Sequence, residues 1–312
     1  MEAPVFLVAA ERSGTTLLGA MLDGHPLVSW PGAFDYALDW PAQEDAAWPD
    51  LVDTWSRLAE SSAVRRARIR IDPALGFPDL VRSLHAQHRG GTRKPIVGMT
   101  AHRHFERLLR LWPEASFIYL LRDGRDVARS HVANGSAGNV WTASQEWLDA
   151  ERSWRALALQ LPAERQLEVR FEDLVTAPER ELARVCAFLG IDDSPEMLAY
   201  PERSALEAPD PRLVARWRQR LSRRELSLLE ATLGSALRER GYPAGAPRPA
   251  WVPAPRRIAL AAGDRVARGI ARVRRDGAAR WLRRQLGRSI RFGSLRGALS
   301  ARIRRLDFSL SR

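Results

Sequence analysis

Between an apolar, strand-like run ending at Ala10 and a helical pattern reaching about Asp23 stand six residues, Glu11-Arg12-Ser13-Gly14-Thr15-Thr16. They are dense in hydrogen-bond donors. The first amides of a helix have no partner inside it and sit at the positive end of its dipole, so together they attract an anion. Gly14 lets backbone approach closely, Arg12 brings a permanent positive fork, and Ser13, Thr15 and Thr16 add hydroxyls. Such a set can cradle a phosphate. The pattern G-x-x-x-x-G-K-[ST] is not present and no Lys follows Gly14, which disfavours a magnesium–ATP kinase. A helix merely capped by Ser13 or Thr15 is the alternative.

A second junction, "FIYLLRDGRDVARS", repeats the logic. Arg122 emerges where an apolar run ends, and Ser130 lies eight residues further, inside the next helical pattern. The two could converge on one phosphate. The competing reading is a surface network among Arg122, Asp123, Arg125 and Asp126.

The elements that must position these groups follow from hydrophobic patterning. "VFLVAA", "KPIVGM", "SFIYLL" and "QLEVRF" read as buried strands. Helical patterns begin after Gly14, at Phe105 and at Gly124, and cover about Ser144–Leu159. Others run over Pro178–Leu189, with proline in the first turn and Gly190 beyond the end, and up to Gly241. Strands alternating with helices predict an α/β fold, a P-loop-like, doubly wound parallel sheet flanked by helices. Ligands of such sheets bind beyond the carboxyl ends of the strands, where both junctions fall. Residues 30–55 are rich in aromatic side chains, which either wall an acceptor pocket or anchor a loop on the core.

The net charge of +12 is unevenly placed over the 312 residues. Residues 249–312 hold seventeen Arg and three Asp, whereas residues 1–248 hold 32 basic and 34 acidic side chains. A near-neutral domain over 1–243, a Pro-rich linker over 244–257 and an Arg-rich helical tail over 258–312 are expected. In the tail, Val266, Ile270, Val273 and Trp281 recur at helical spacing among arginines, although Gly263, Gly269 and Gly277 weaken a continuous helix. A basic amphipathic helix suits an anionic membrane surface better than nucleic acid; packing on the domain is the plainer outcome. A single cysteine, Cys186, excludes an internal disulfide framework. No apolar stretch approaches the roughly 20 residues that span a bilayer, and Met-Glu-Ala-Pro runs straight into a strand. The expected location is cytoplasmic, peripheral at the inner membrane face.

Taken together, "ERSGTTLLGAMLDGHP", "FIYLLRDGRDVARS", "VRFEDLVTAPERELARVCAFLG" and "ARWRQRLSRRELSLLE" resemble, in this order, the sulfotransferases that use 3′-phosphoadenosine 5′-phosphosulfate (PAPS). The branch with bacterial and tyrosylprotein sulfotransferases is the most similar, from Phe6 to about Tyr242. The resemblance implies that Arg12, Ser13, Gly14, Thr15 and Thr16 grip the 5′-phosphosulfate and that Arg122 and Ser130 bind the 3′-phosphate. Phe171 falls where many relatives place a tyrosine beside the adenine. It implies a hydroxyl-bearing acceptor (small molecule, glycan or lipid-linked), 3′,5′-adenosine bisphosphate as product, and no metal. Arg12 would act as an electrostatic clamp on the leaving oxygen, since it remains protonated at any working pH.

The general base is open among three residues. Ala33 stands about where tyrosylprotein sulfotransferases carry a glutamate, and Asp35 lies two residues on. Cytosolic sulfotransferases use a histidine after the strand corresponding to "KPIVGM"; here "TAHRHF" offers His102 and His104, shifted from that register. An imidazole suits proton abstraction from a hydroxyl, and His102 is preferred. Two other readings remain at this point: a nucleotide-binding protein without transfer activity, and an adaptor that works through its basic tail.

Overall fold

A computed structural model describes residues 3–39, 58, 70–72, 74–91, 93–245 and 252–276. The chain divides into two compact units, one of Met1–Leu38 and His88–Arg268, the other of Asp39–Gln87 and Gly269–Arg312.

The first unit is built on a five-stranded parallel sheet. The strands are β1 (Val5–Val8), β2 (Val28–Ser29), β3 (Ile96–Ala101), β4 (Ser116–Leu121) and β5 (Gln166–Arg170), in the order β2-β3-β1-β4-β5. Val5 pairs with Gly98 on one side and Ser116 on the other, so β1 is central. Its helices are α1 (Thr15–Gly24), α3 (Phe105–Leu111), α4 (Gly124–Asn134), α5 (Val140–Ala158), α6 (Phe171–Thr176), α7 (Pro178–Leu189), α8 (Trp217–Arg220) and α9 (Arg223–Glu239); α2 (Phe77–Gly90) crosses into the second unit. The four strands expected from the sequence are all present; the two-residue β2 was not anticipated.

Strand side chains alternate between the faces of the sheet, and each face has its own core. Leu7, Ile118, Leu120 and Val169 are buried with Leu18, Met21 and Leu22 of α1 and with Val185 of α7. On the other face Phe6 meets Trp112 and Phe117, and Tyr119 stacks on Trp154 of α5 at 4.7 Å. With helices on both faces the sheet is doubly wound, and its carboxyl edge is left for ligands.

Two aromatic residues of the 30–55 stretch are anchors and not pocket walls. Trp30 is buried over Gly98, where any Cβ would overlap its ring, and donates to Thr100 Oγ1 at 2.9 Å. Phe34 is fully buried. Trp40, Trp48 and Trp55 lie outside the described residues.

In the second unit, α2 buries Phe77, Leu80, Val81 and Leu84, and Gln87 exchanges two 2.7 Å hydrogen bonds with the backbone of Arg70. The last described helix, α10 (Ala254–Asp276), begins ahead of residue 258 and runs through Gly263 and Gly269 without a break. Its amides follow one helical path because flanking alanines and arginines favour the helix enough to offset two glycines. Gly277, Trp281 and the remainder of the tail lie outside the described residues.

Candidate active site

The loop after β1 is wound for anion capture. Arg12 has φ 69° and Gly14 φ 105°, both left-handed, the backbone form that anion-binding loops use. Gly14 is the N-cap of α1, and no side chain caps the helix, which removes the capping reading for Ser13 and Thr15. A Cβ at Gly14 would lie 2.4 Å from the Phe171 ring, so only glycine fits here. Ser13 is buried, its N–H donating to Ala10 O at 3.2 Å.

The loop opens onto a cavity of about 670 Å³, which also receives Asp35, His102, Arg122, Ser130 and Phe171. Thus nearly every residue nominated from the sequence faces one space, although they are separated by up to 160 positions; Ser13 lies behind it. Arg122 donates to the carbonyl oxygen of Arg12 at 3.1 Å, and its guanidinium rests 4.0 Å above the Phe171 ring. Its Nε is buried without a partner, an orphaned donor. Burial draws the Arg122 pKa down, against the pull of Asp126, Glu172 and Asp123. Ser130 accepts from Arg12 Nε at 3.2 Å, linking the two junctions across 118 residues.

His102 lies at the end of β3, and its ring is fixed at both nitrogens. Nδ1 is 2.6 Å from Asp35 Oδ2, and Nε2 is 3.0 Å from Thr15 Oγ1. The other carboxylate oxygen of Asp35 accepts the His102 backbone N–H at 2.7 Å. Burial would raise the Asp35 pKa, but these hydrogen bonds and the charge of His102 outweigh it and hold the carboxyl below its usual value. Asp35 therefore stands behind the imidazole as its orienter. His104 is elsewhere: it is the left-handed N-cap of α3, with Nδ1 3.8 Å from Glu106 Oε1, and does not line the cavity.

The acids of the second junction do not form a surface network. Arg125 is fully buried and grips Asp123 at 2.8 Å and Glu230 at 2.8 Å, with its guanidinium stacked on Trp217. Trp217 in turn donates from Nε1 to Asp123 and from its backbone N–H to Asp126. Buried charges demand such pairing, and the result pins the "ARWRQR" segment beside Arg122. This brings up residues not singled out from the sequence. A second cavity of about 290 Å³ is lined by Arg122, Asp126, Arg129, Ser130, Arg216 and Arg220. The arginine spacing on either side of Trp217 was the available signal. The loop Ala205–Leu213 also walls the main cavity, and nothing in its composition marked it.

A model of the sulfotransferase family matches residues 4–195. The chain belongs to the sulfotransferase family. It is 26% identical over 220 residues to protein-tyrosine sulfotransferase 2 of Gallus gallus, covering 64% of this chain and 54% of that protein. A putative protein-tyrosine sulfotransferase of Caenorhabditis briggsae is also 26% identical, over 215 residues, covering 64% of this chain and 70% of that one. The chain thus spans about half the length of the Gallus gallus relative. Among solved structures, the sulfotransferase domain from the curacin biosynthetic pathway superposes with TM-score 0.59 at 18% identity, covering 78% of this chain and 99% of that domain. The sulfotransferase domain of the Synechococcus PCC 7002 olefin synthase gives 0.56 at 22% identity, covering 71% and 90%. These two likenesses establish the P-loop-like sulfotransferase fold.

Proposed function

We propose that this sulfotransferase moves the sulfuryl group from PAPS to a hydroxyl. The observation that carries the reading is the single cavity shared by the Arg12–Thr16 loop, Arg122 and the Asp35–His102 pair. A space of about 670 Å³ is of the size that holds a nucleotide. The uncapped amides of α1 and the Arg12 fork suit the 5′-phosphosulfate. The orphaned Nε of Arg122, with Ser130 and the arginine-lined second cavity, suits the 3′-phosphate. Phe171, which the resemblance sets beside the adenine, is instead a buried ring packed against Gly14 and covered by the Arg122 guanidinium, so it serves the nucleotide by supporting Arg122 and the loop.

In this reading Arg12 stabilises the charge that develops on the departing phosphate oxygen, as a fixed cation and not as a proton donor. His102 takes the acceptor's proton through Nε2, and Asp35 holds the tautomer with the proton on Nδ1 and stabilises the imidazolium that follows. Thr15 occupies Nε2 until an acceptor hydroxyl replaces it. The acceptor class follows less directly. The names of the protein-tyrosine sulfotransferase relatives place a phenolic hydroxyl first among those to be tried.

The test is transfer of radiolabelled sulfate from PAPS to a panel of phenols, tyrosine peptides, glycans and lipid alcohols. Label in an acceptor, lost in His102→Ala, supports the enzyme. Tight nucleotide binding with no label in any acceptor favours a nucleotide-binding protein without transfer activity.

A further inference from the structure

Helix α10 docks the wrong way round for an ordinary amphipathic helix. Its inward side is polar and small. Asp264, 1% exposed, accepts the Gly138 N–H at 2.6 Å, and the carbonyl of Leu260 accepts from Asn139 Nδ2 at 2.9 Å. Ala267 lies so close to Gly138 that a Cβ there would come within 2.6 Å of it. These contacts fasten the helix to the start of α5, where Asn139 also caps the first turn by accepting from the Thr142 N–H. Within the helix, Arg268 one turn on neutralises Asp264 through a 2.6 Å ion pair.

Three large apolar side chains point outward. Ile258, Ala262, Val266 and Ile270 succeed one another every four residues and so form one stripe along the helix. Ile258 is 71%, Val266 63% and Ile270 49% exposed. Arg256, Arg257, Arg265 and Arg274 are exposed on the same helix. Among the described residues no helix is long and apolar enough to cross a membrane.

We propose that this outward face of α10 seats on an anionic lipid surface, with Ile258, Val266 and Ile270 in the interfacial region and the arginines among the headgroups. Charge decides the occupant. A second copy would set arginines against arginines. Beyond the helix, residues 277–312 carry ten Arg against one Asp, so like charge disfavours the chain's own tail as the occupant of a face already basic. Anionic headgroups satisfy both the stripe and its flanks, and each arginine near such a surface adds about fivefold to partitioning. The arrangement also explains why the helix is held by a buried carboxylate and a glycine contact: its apolar residues are left free for lipid.

The experiment is sedimentation of the full chain with vesicles of phosphatidylglycerol and phosphatidylcholine, against vesicles of phosphatidylcholine alone. The expected result is binding to the anionic vesicles only, reduced at least about tenfold in the double variant Ile258→Glu/Val266→Glu and weakened by Arg256→Gln/Arg265→Gln. Both positions of the first variant are exposed, and unchanged thermal unfolding will verify that the fold is kept. Equal binding to neutral vesicles overturns the proposal. So does undiminished binding of the Glu variant, since the tail arginines then suffice. Self-association without lipid that the Glu variant abolishes also overturns it, in favour of a second copy. None of these readouts depends on sulfuryl transfer.

Discussion

Asp35 Oδ2 lies 2.6 Å from Nδ1 of His102, across 67 residues of sequence, and this pairing decides which imidazole nitrogen serves the cavity. With Nδ1 committed to the carboxylate, Nε2 is left for Thr15 or for a substrate hydroxyl. His102→Ala is expected to lower kcat by about 10²–10⁴-fold, the ordinary worth of a general base, with affinity for 3′,5′-adenosine bisphosphate unchanged. Asp35→Asn keeps the shape but loses the charge, and should lower kcat while shifting the acidic limb of the pH–rate profile. A fall in kcat with an unmoved profile would make Asp35 a packing residue. Equal turnover in His102→Ala would remove the base assignment.

Gly14→Ala tests the cradle from its floor. The new methyl would lie 2.4 Å from Phe171 and force a non-glycine residue to φ 105°. A loss of about 1–3 kcal/mol in stability is expected from strain at such a position. Adding Phe171→Ala should recover the clash component but not the backbone component, so the two changes are non-additive in denaturant titrations. Additive losses would mean that the loop does not pack on Phe171.

Arg125 is predicted to matter for stability and, through Trp217, for the nucleotide. Removing one member of a buried ionic cluster leaves uncompensated charge, at a cost of about 3–5 kcal/mol. Arg125→Ala leaves Asp123 and Glu230 buried without it, and chemical denaturation should register that cost. Nucleotide affinity should fall as well, because Arg216 and Arg220 flank the tryptophan that Arg125 stacks on. A destabilised variant with intact affinity would detach this segment from the site.

The four main strands and the helices that follow them were legible because each is a continuous apolar run or a clear 3.6-residue pattern. Arg12, Arg122 and Ser130 were legible because a basic group at a strand end and a hydroxyl in the next helix are local features. The Asp35–His102 pairing was not, since no periodicity relates a 3₁₀ turn after β2 to the end of β3. β2 itself is only Val28–Ser29, too short to show a pattern. The acids Asp123 and Asp126 looked like solvated charges. Only the fold reveals that Trp217 and Glu230, about a hundred residues away, converge on Asp123, Arg125 and Asp126. The outward apolar face of α10 was invisible for a similar reason. The sequence shows a stripe, while the direction of the stripe depends on what Asp264 finds at Gly138.

Burial raises the Asp126 carboxyl to about pH 6, although the Arg122 charge pulls it down. In the unfolded chain the same group titrates near the ordinary aspartate value of 3.8, so the folded state binds more protons between these limits. Its contribution to stability is therefore largest in acid and is lost as pH rises from about 4 to 6. Asp126→Asn retains an acceptor for the Trp217 N–H and should flatten this part of the stability–pH curve. An unchanged slope would show that Asp126 is ionised throughout.

The central claim is that Arg12 and Arg122 grip the two ends of one doubly phosphorylated adenosine. Isothermal titration calorimetry without magnesium, comparing 3′,5′-adenosine bisphosphate with adenosine 5′-monophosphate, tests it most directly. Micromolar affinity for the bisphosphate is predicted, at least about tenfold tighter than for the monophosphate, with that preference erased in Arg122→Ala and overall affinity lowered in Arg12→Ala. Equal binding of the two nucleotides, or tight binding that survives both substitutions, would contradict it.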